Sequence, residues 1–237
     1  MPKRQIYFIL GIILLFVFFL FSYLVRNNHF TTFDFNNTVR LQDHISRKFD
    51  GIFSLLSGIG QFAVMTVVLA AIFFVTKRFK AALYAFSFYG IFHLIEIYGK
   101  YFVWHRPPPE FMVRTQNLIP LSPFDVRTQN SYPSGHAGRA LFISVILLIL
   151  LWQNKKWGMG IKLILSFVIL AYDVTMLISR VYLGEHWTSD VIGGSLLGAS
   201  FGLFAGMFIS EKISHETHES KKKSFFPKYK IEVKKVE

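Results

Sequence analysis

Six apolar blocks run along the chain, and more polar segments of different lengths separate them. The blocks cover roughly residues 6–25, 60–76, 80–104, 137–153, 161–181 and 190–209. A helix needs about 20 apolar residues to cross a bilayer, and there it satisfies its own backbone hydrogen bonds. Each block therefore predicts a transmembrane helix. We expect an all-α, six-span helical bundle that forms one membrane-integrated domain over residues 1–210.

The segment between the first two spans follows a different pattern. Over residues 33–58, apolar side chains recur at helical spacing between Asp, Arg and Lys, at Val39, Leu41, Ile45, Phe49, Phe53 and Leu56. This spacing predicts an amphipathic helix on the membrane surface after the first span. A helix that packs against the bundle is the alternative interpretation.

Composition and charge agree with a membrane protein and indicate its orientation. Hydrophobic residues make up 52% of the 237 residues, and the formal net charge is +12. Four basic stretches, at Lys3-Arg4, Lys77–Lys80, Lys155–Lys162 and Lys221–Lys223, fall on one side of a six-span chain. Because basic loops stay in the cytoplasm, both termini are predicted to be cytoplasmic in the cell membrane.

The same topology directs the segments 26–59, 105–136 and 182–189 outward. Since membrane topology explains the basic residues, no nucleic-acid partner is expected. Residues 211–237 are charged and contain no apolar block, which predicts a basic cytoplasmic tail without a fixed structure. The chain has no cysteine, so disulfides and thiolate metal sites are excluded.

Three polar clusters stand at the outward ends of spans. Polar and ionisable groups at membrane depth are costly, so their positions indicate a functional site. The last cluster is Ser179-Arg180, followed by His186 and Asp190. A carboxylate four residues after an imidazole shares its helix face and fixes its tautomer, and an arginine offers a planar fork to phosphate oxygens. Taken alone, His186 and Asp190 also fit an ordinary surface pair.

The second cluster, Tyr132-Pro133-Ser134-Gly135-His136, stands just before the fourth span. Ser134 supplies a hydroxyl, Gly135 lets a ligand approach the backbone, and the amides of a helix start bind anions. His136 is placed to protonate a leaving oxygen. The alternative is a structural turn in which Ser134 caps the helix.

The first cluster is Lys100 followed by Arg106-Pro107, where the third span must end because proline cannot continue the helix. Two cations at this end predict contacts with an anionic group. They also fit side chains that simply extend to the membrane surface.

The chain resembles the type-2 phosphatidic acid phosphatase family, which belongs to the haloperoxidase-like superfamily. The resemblance lies in Ser179-Arg180-x5-His186-x3-Asp190 and Pro133-Ser134-Gly135-His136. The family's first motif is Lys-x6-Arg-Pro, whereas Lys100-x5-Arg106-Pro107 is one residue shorter and has Gly99 at the lysine position. The shift turns Lys100 by about 100° around the helix. Lys100 is then predicted either to pair with Glu96, four residues earlier, or to reach phosphate on its flexible stem.

The resemblance implies a lipid phosphatase that hydrolyses a phosphate mono- or diphosphate ester through a phosphohistidine intermediate. It implies that His186 attacks phosphorus, that Asp190 orients it and that His136 protonates the leaving alcohol. The implied phosphate-binding residues are Lys100, Arg106, Ser134, Gly135 and Arg180. No metal or other cofactor is implied. A lipid phosphotransferase and a catalytically silent protein that binds a lipid phosphate are the alternatives.

Two further features concern the last two spans. Gly194, Gly198, Gly202 and Gly206 recur every four residues, which predicts close helix packing in lipid. Asp173 lies seven residues before Arg180 and is predicted either to support that arginine or to form a separate polar pair. The implied substrates are a polyprenyl diphosphate such as undecaprenyl diphosphate, which we prefer, phosphatidylglycerophosphate and phosphatidic acid.

Overall fold

The computed structural model describes residues 3–116 and 129–209, and within these ranges every regular element is helical. The helices are α1 (Lys3–Arg26), α2 (Thr31–His44), α3 (Asp50–Ile59), α4 (Phe62–Thr76), α5 (Phe79–Phe102), α6 (Gly135–Gln153), α7 (Met159–Tyr182) and α8 (Thr188–Ile209). Two 3-10 turns cover Arg47–Phe49 and Glu110–Met112. The predicted all-α class is confirmed, and the predicted tail lies outside the described residues.

The six predicted spans are present as five long helices and one bent pair. The helices α1, α5, α6, α7 and α8 are each long and apolar enough to cross a bilayer. Helix α4 has 15 residues and is about 22 Å long, which is less than the ~30 Å of a bilayer core. It joins the segment Arg47–Ile59 at an angle of 55°, and the bent pair together is long and apolar enough for one further span.

The bend between α3 and α4 is tied to α6. Gly60 stands at the bend, and its carbonyl oxygen accepts a hydrogen bond from Nε of Arg139 at 3.0 Å. A Cβ at Gly60 would lie 2.9 Å from Cδ2 of His136. The absence of a side chain at this position therefore lets the bent span pack directly against the first turn of α6.

Helices α6 and α8 form the centre of the bundle. In each of them 61% of the residues in an apolar stretch of 18 residues are buried, compared with 22% in α1, 28% in α5 and 11% in α7. The glycine stripe of α8 makes this packing possible, because a Cβ at Gly198 or Gly194 would collide with the carbonyl oxygen of Gly138 or Ser134 on the α6 side. The predicted close packing of the last span is confirmed.

The amphipathic helix predicted over residues 33–58 is divided into two helices, α2 and α3. The chain turns at Ile45 and Ser46, whose backbones are extended. The buried residues of α2 are the polar Asp34 and Thr38. Gln42 donates from Nε2 to the carbonyl oxygen of Tyr182 at 2.9 Å, so α2 covers the end of α7. These contacts support the packing interpretation, and polar contacts to the bundle decide which side of α2 is buried.

Candidate active site

Residues of the second and third polar clusters meet where α6 and α8 begin. The amide of Ser134 donates to the carbonyl oxygen of Asp190 at 3.0 Å, which joins the loop before α6 to the first turn of α8. The amide of His186, in the loop between α7 and α8, donates to the carbonyl oxygen of Arg180 at 3.2 Å. The charges of Arg180 and His186 both act on His136. These five residues therefore form one group, which we call the His186 group.

His186 is held by a buried carboxylate. Its Nδ1 lies 3.3 Å from Oδ2 of Asp190, and the amide of Trp187 donates to the same oxygen at 3.0 Å. The Asp190 side chain is fully buried in the first turn of α8, where the helix dipole favours negative charge. Burial lowers the pKa of His186, and the charges of Arg180 and Lys100 lower it further, against the raising effect of Asp190. The ring is thus kept in its neutral, nucleophilic form to a lower pH than free imidazole.

Arg180 is anchored from two sides at the end of α7. It is only 2% exposed, and its guanidinium forms an ion pair with Glu185 and donates to Oγ of Ser57. Both partners were missed in the sequence analysis, because Ser57 is distant along the chain and Glu185 belongs to no motif. Their contacts fix the orientation of the guanidinium beside His186.

The hydroxyl of Ser134 does not cap the helix that follows it. Ser134 occupies the residue before α6, but its side chain makes no capping hydrogen bond. The side chain is fully buried, and within residues 3–116 and 129–209 its Oγ has no hydrogen-bond partner. Leaving a buried hydroxyl unpaired costs about 1–3 kcal/mol. A ligand oxygen at this position would remove that cost.

Gly135 is required by a buried charge cluster beside it. A Cβ at Gly135 would collide with Oε1 of Glu96. The Glu96 carboxylate lies 2.8 Å from Nδ1 of His93, 3.6 Å from Nη1 of Arg139 and 3.5 Å from Nζ of Lys100. The start of α6 therefore faces a carboxylate shared by three basic side chains, of which His93 and Arg139 were not anticipated.

The one-residue shift at Lys100 has a packing cause. A Cβ at Gly99 would lie 2.6 Å from Cδ of Pro133, so a lysine at position 99 would collide with the loop before α6. The ion pair with Glu96 is present at 3.5 Å, as one of the two alternatives predicted. Lys100 nevertheless acts electrostatically on both His136 and His186. Its ammonium group is therefore held near the His186 group by Glu96.

Lys100 and Arg106 border a cavity of about 980 Å³. Its wall combines these two cations with aromatic side chains, namely Phe35, Tyr101, Trp104 and Trp187. Arg106 is exposed, and its carbonyl oxygen accepts a hydrogen bond from Nε1 of Trp187 at 2.8 Å. Within the described part of the chain, no hydrogen bond or ion pair joins its guanidinium to the His186 group. The predicted first cluster thus lies next to the His186 group and faces the cavity.

Asp173 forms the separate polar pair that was one of its two predicted roles. Its Oδ1 accepts a hydrogen bond from Oγ of Ser144 at 2.7 Å, which links α7 to α6. Arg180 is held instead by Ser57 and Glu185. Asp173 therefore belongs to the helix packing.

Asp34 and His105 also contact this site, and neither was predicted. Nδ1 of His105 lies 2.8 Å from Oδ1 of Asp190, and its Nε2 lies 3.6 Å from Oδ2 of Asp34. The available signal was weak. His105 directly precedes Arg106-Pro107, and Asp34 is one of two acids within an otherwise unremarkable polar helix.

Comparisons with known proteins show which family the chain belongs to. The sequence model of the PAP2 superfamily matches residues 79–213, which is more than half of the chain. An undecaprenyl-diphosphatase of Sulfolobus acidocaldarius is 33% identical over 150 residues, which cover 63% of this chain and 66% of that protein. A lipid A 4'-phosphatase of Bacteroides thetaiotaomicron is 30% identical over 83 residues, which cover 35% of this chain and 32% of that protein. The matches thus span less than two thirds of either relative.

The fold is also similar to a solved structure. The crystal structure of a transmembrane PAP2-type phosphatidylglycerolphosphate phosphatase from Bacillus subtilis matches with a TM-score of 0.64 and 21% identity. The match covers 87% of this chain and 96% of that chain, so the helical bundle is shared almost throughout. With the family match over α5 to α8, the chain belongs to the PAP2 superfamily of type-2 phosphatidic acid phosphatases.

Proposed function

We propose that this protein is a membrane lipid phosphatase that hydrolyses a phosphate mono- or diphosphate ester of a lipid. The observation that carries the proposal is the His186–Asp190 pair beside the buried, unpartnered hydroxyl of Ser134. A nucleophile, a carboxylate that orients it and an anion-binding helix start then lie together at one end of the bundle. Family membership supports the same reaction class.

The proposed reaction proceeds in two steps. Because Nδ1 of His186 is engaged by Asp190, Nε2 is the nitrogen that attacks phosphorus. The N–P bond forms while the bond from phosphorus to the leaving oxygen breaks, and His136 gives its proton to that oxygen. The leaving oxygen is the lipid alcohol oxygen of a monophosphate or the bridging oxygen of a diphosphate, which leaves as the lipid monophosphate. His136 then takes a proton from water, whose oxygen attacks the phosphorus of the phosphohistidine. The N–P bond breaks, which releases phosphate and restores His186. Asp190 acts through His186, so its role is to position and stabilise the ring.

The phosphate is proposed to be bound by groups that surround His186. Arg180 supplies a guanidinium oriented by Glu185 and Ser57. The Ser134 hydroxyl and the Gly135 amide supply hydrogen-bond donors at the start of α6. Lys100 adds a charge from the α5 side. We propose that Arg106 binds a part of the headgroup that reaches the neighbouring cavity. Such fixed positive charge stabilises the transferring phosphoryl group.

We further propose that the site faces outward and that both termini are cytoplasmic. At the end of α8 opposite Asp190, Arg4 lies over the ring of Phe208 and Arg78 donates to the carbonyl oxygen of Ile209 at 2.8 Å. Lys162 approaches the end of α6, where Nζ lies 3.4 Å from the carbonyl oxygen of Trp152. Three basic stretches thus gather at one end of the bundle, and the positive-inside rule assigns that end to the cytoplasm.

The proposed substrate is a lipid phosphate drawn from the bilayer, with a polyprenyl diphosphate preferred. The name of the Sulfolobus acidocaldarius relative, undecaprenyl-diphosphatase, supports this preference. An outward site also suits a lipid carrier that is dephosphorylated outside the cytoplasm. Phosphatidylglycerophosphate and phosphatidic acid are the other candidates.

The test is release of inorganic phosphate by purified protein in detergent, with no acceptor alcohol added. Undecaprenyl diphosphate, phosphatidylglycerophosphate and phosphatidic acid are compared, and we expect release to be fastest from the polyprenyl diphosphate. Transfer of the phosphoryl group to an added lipid or sugar alcohol, with no inorganic phosphate released in its absence, would instead identify a phosphotransferase. Saturable binding of the same lipids without turnover would identify a catalytically silent protein.

Replacing Ser134 by alanine separates a phosphate ligand from a helix cap. We expect Ser134→Ala to lower kcat/KM for phosphate release by about 10- to 100-fold, because one hydrogen bond to the transition state is lost. The melting temperature should not fall, since the hydroxyl has no partner within the described residues.

The matched control for Ser134→Ala is Ser144→Ala in the same helix. The Ser144 hydroxyl donates to Asp173 at 2.7 Å, so this variant should lose stability and keep its activity per folded molecule. If Ser134→Ala instead lowered stability by about 1 kcal/mol and left kcat/KM unchanged, Ser134 would be a cap.

A further inference from the structure

The carboxylate of Asp190 is shared between two histidines. Oδ2 faces Nδ1 of His186 at 3.3 Å, while Oδ1 faces Nδ1 of His105 at the shorter distance of 2.8 Å. An ionised carboxylate only accepts hydrogen bonds, so both rings present an N–H at Nδ1. His105 is therefore the closer partner of the residue that orients the proposed nucleophile.

The other side of His105 faces a second buried carboxylate. Nε2 lies 3.6 Å from Oδ2 of Asp34, which accepts from Oγ of Ser189 at 2.6 Å. Oδ1 of Asp34 accepts from the amide of Ser189 at 2.7 Å. Ser189 directly precedes Asp190, so Asp34 and His105 together enclose the first turn of α8 from the α2 and α5 sides.

We propose that His105, supported by Asp34, is a positioning residue that holds Asp190 in place and balances its charge so that His186 stays neutral and ready to attack. This inference rests on the proposed phosphatase function and adds to it two residues outside the family motifs. His105 acts through Asp190, and Asp34 acts through His105.

The surroundings of His105 favour a doubly protonated, positively charged ring. Asp190 accepts the Nδ1–H, and Asp34 lies within ion-pair distance of Nε2 on the opposite side, at 3.6 Å. A buried cation is stable only when it is paired in this way. Burial lowers the pKa of His105, but the hydrogen bond and charge of Asp190, together with the charge of Asp34, outweigh that effect and raise the pKa above its ordinary value.

Among the described residues, the other groups around His105 do not supply a competing negative charge. Its ring lies edge-on to the ring of Tyr132 at 6.5 Å, and the Tyr132 hydroxyl is hydrogen-bonded to Ser22. Its carbonyl oxygen accepts from the amide of Ser131 at 2.9 Å. The charged groups that share its cavity wall, besides Asp34, are Lys100 and Arg106.

The charge on His105 has a defined effect on His186. The negative charge of Asp190 stabilises a protonated His186, because opposite charges nearby favour the ionised ring. A positive charge on His105 offsets part of that negative charge, so His186 holds its proton less strongly. In the wild type, the lowered pKa of His186 places the acid limb of the kcat/KM profile below about pH 6.5. If the positive charge on His105 is removed, the full charge of Asp190 acts on His186, and the limb moves to higher pH.

The test is the pH profile of phosphate release by His105→Asn. The asparagine amide can replace the Nδ1–H toward Asp190, but it carries no charge and does not reach Asp34. We expect kcat to fall by about tenfold or more, KM to stay within about twofold and the acid limb to rise by about 0.5–1 pH unit. The matched control is His44→Asn, the same change at an exposed residue of α2, which should match the wild type.

A double-mutant cycle with Asp34→Asn tests the second half of the inference. Because Asp34 is proposed to act through His105, the double variant should be no slower than His105→Asn alone. Asp34→Asn by itself should lower kcat several-fold without changing KM, and it carries the test if His105→Asn does not fold.

The outcomes separate this inference from the proposed function. An unshifted acid limb with an equal loss of activity at every pH would show that His105 is merely structural. Fully additive losses in the cycle would show that Asp34 acts through Ser189 and not through His105, which would overturn the second half of the inference. Wild-type protein that releases no phosphate from any lipid tested would overturn the proposed function, and this inference with it. An active wild type and an equally active His105→Asn would overturn the inference alone.

Discussion

Replacing His186 by alanine is expected to reduce phosphate release by at least about a thousandfold. The variant loses the nitrogen that attacks phosphorus, and with it the route that divides hydrolysis into two easier steps. Arg180 is anchored by Ser57 and Glu185 independently of the His186 side chain, so substrate binding should be retained. The measurement is kcat for phosphate release, together with equilibrium binding of the same lipid.

Detection of the covalent phosphohistidine intermediate provides a second test of this prediction. Wild-type protein mixed with a phosphate-labelled lipid and quenched rapidly in base should carry the label, whereas His186→Ala should carry none. The control is His44→Ala, because His44 is exposed on α2 and its Nδ1 bonds to the local backbone at Arg40. Turnover by His186→Ala at the wild-type rate would exclude His186 as the nucleophile.

The features predicted from sequence are those that depend on local pattern. Apolar block length predicted the spans, because a helix in lipid must satisfy its own backbone. The four-residue spacing of glycines in α8 predicted close packing, and a side chain at Gly198 would indeed collide with α6. The motif spacing from Arg180 through His186 to Asp190 predicted a group that the structure brings together.

The features that were missed depend on contacts between distant parts of the chain. Asp34 is buried because it binds Ser189, which lies 155 residues later, and no pattern within α2 indicates that partner. The bend at Gly60 is stabilised by Arg139 from α6, so the length of an apolar block could not reveal it. The register of Lys100 became understandable only from the packing of Gly99 on Pro133.

Replacing Gly198 by alanine is expected to destabilise the bundle more than a single methyl group would suggest. The added Cβ would lie 2.6 Å from the carbonyl carbon and 2.7 Å from Cα of Gly138. Both are backbone atoms, so the collision is relieved only if α6 and α8 move apart. Overpacking of this kind costs about 1–3 kcal/mol, and in lipid no hydrophobic force drives the two helices back together. We expect a clear fall in the melting temperature in detergent.

Activity should fall with stability in Gly198→Ala, because α6 carries His136 and α8 carries Asp190 at the ends where the site is built. The matched control is Gly90→Ala in α5, where an added Cβ meets no atom of the described residues within 4 Å. An alanine in a helix is favoured over glycine by about 1 kcal/mol, so Gly90→Ala should be as stable as the wild type or more stable. Equal melting temperatures for the two variants would mean that α6 and α8 separate at no cost. The close contact between Gly138 and Gly198 would then not be what holds Ser134 against Asp190.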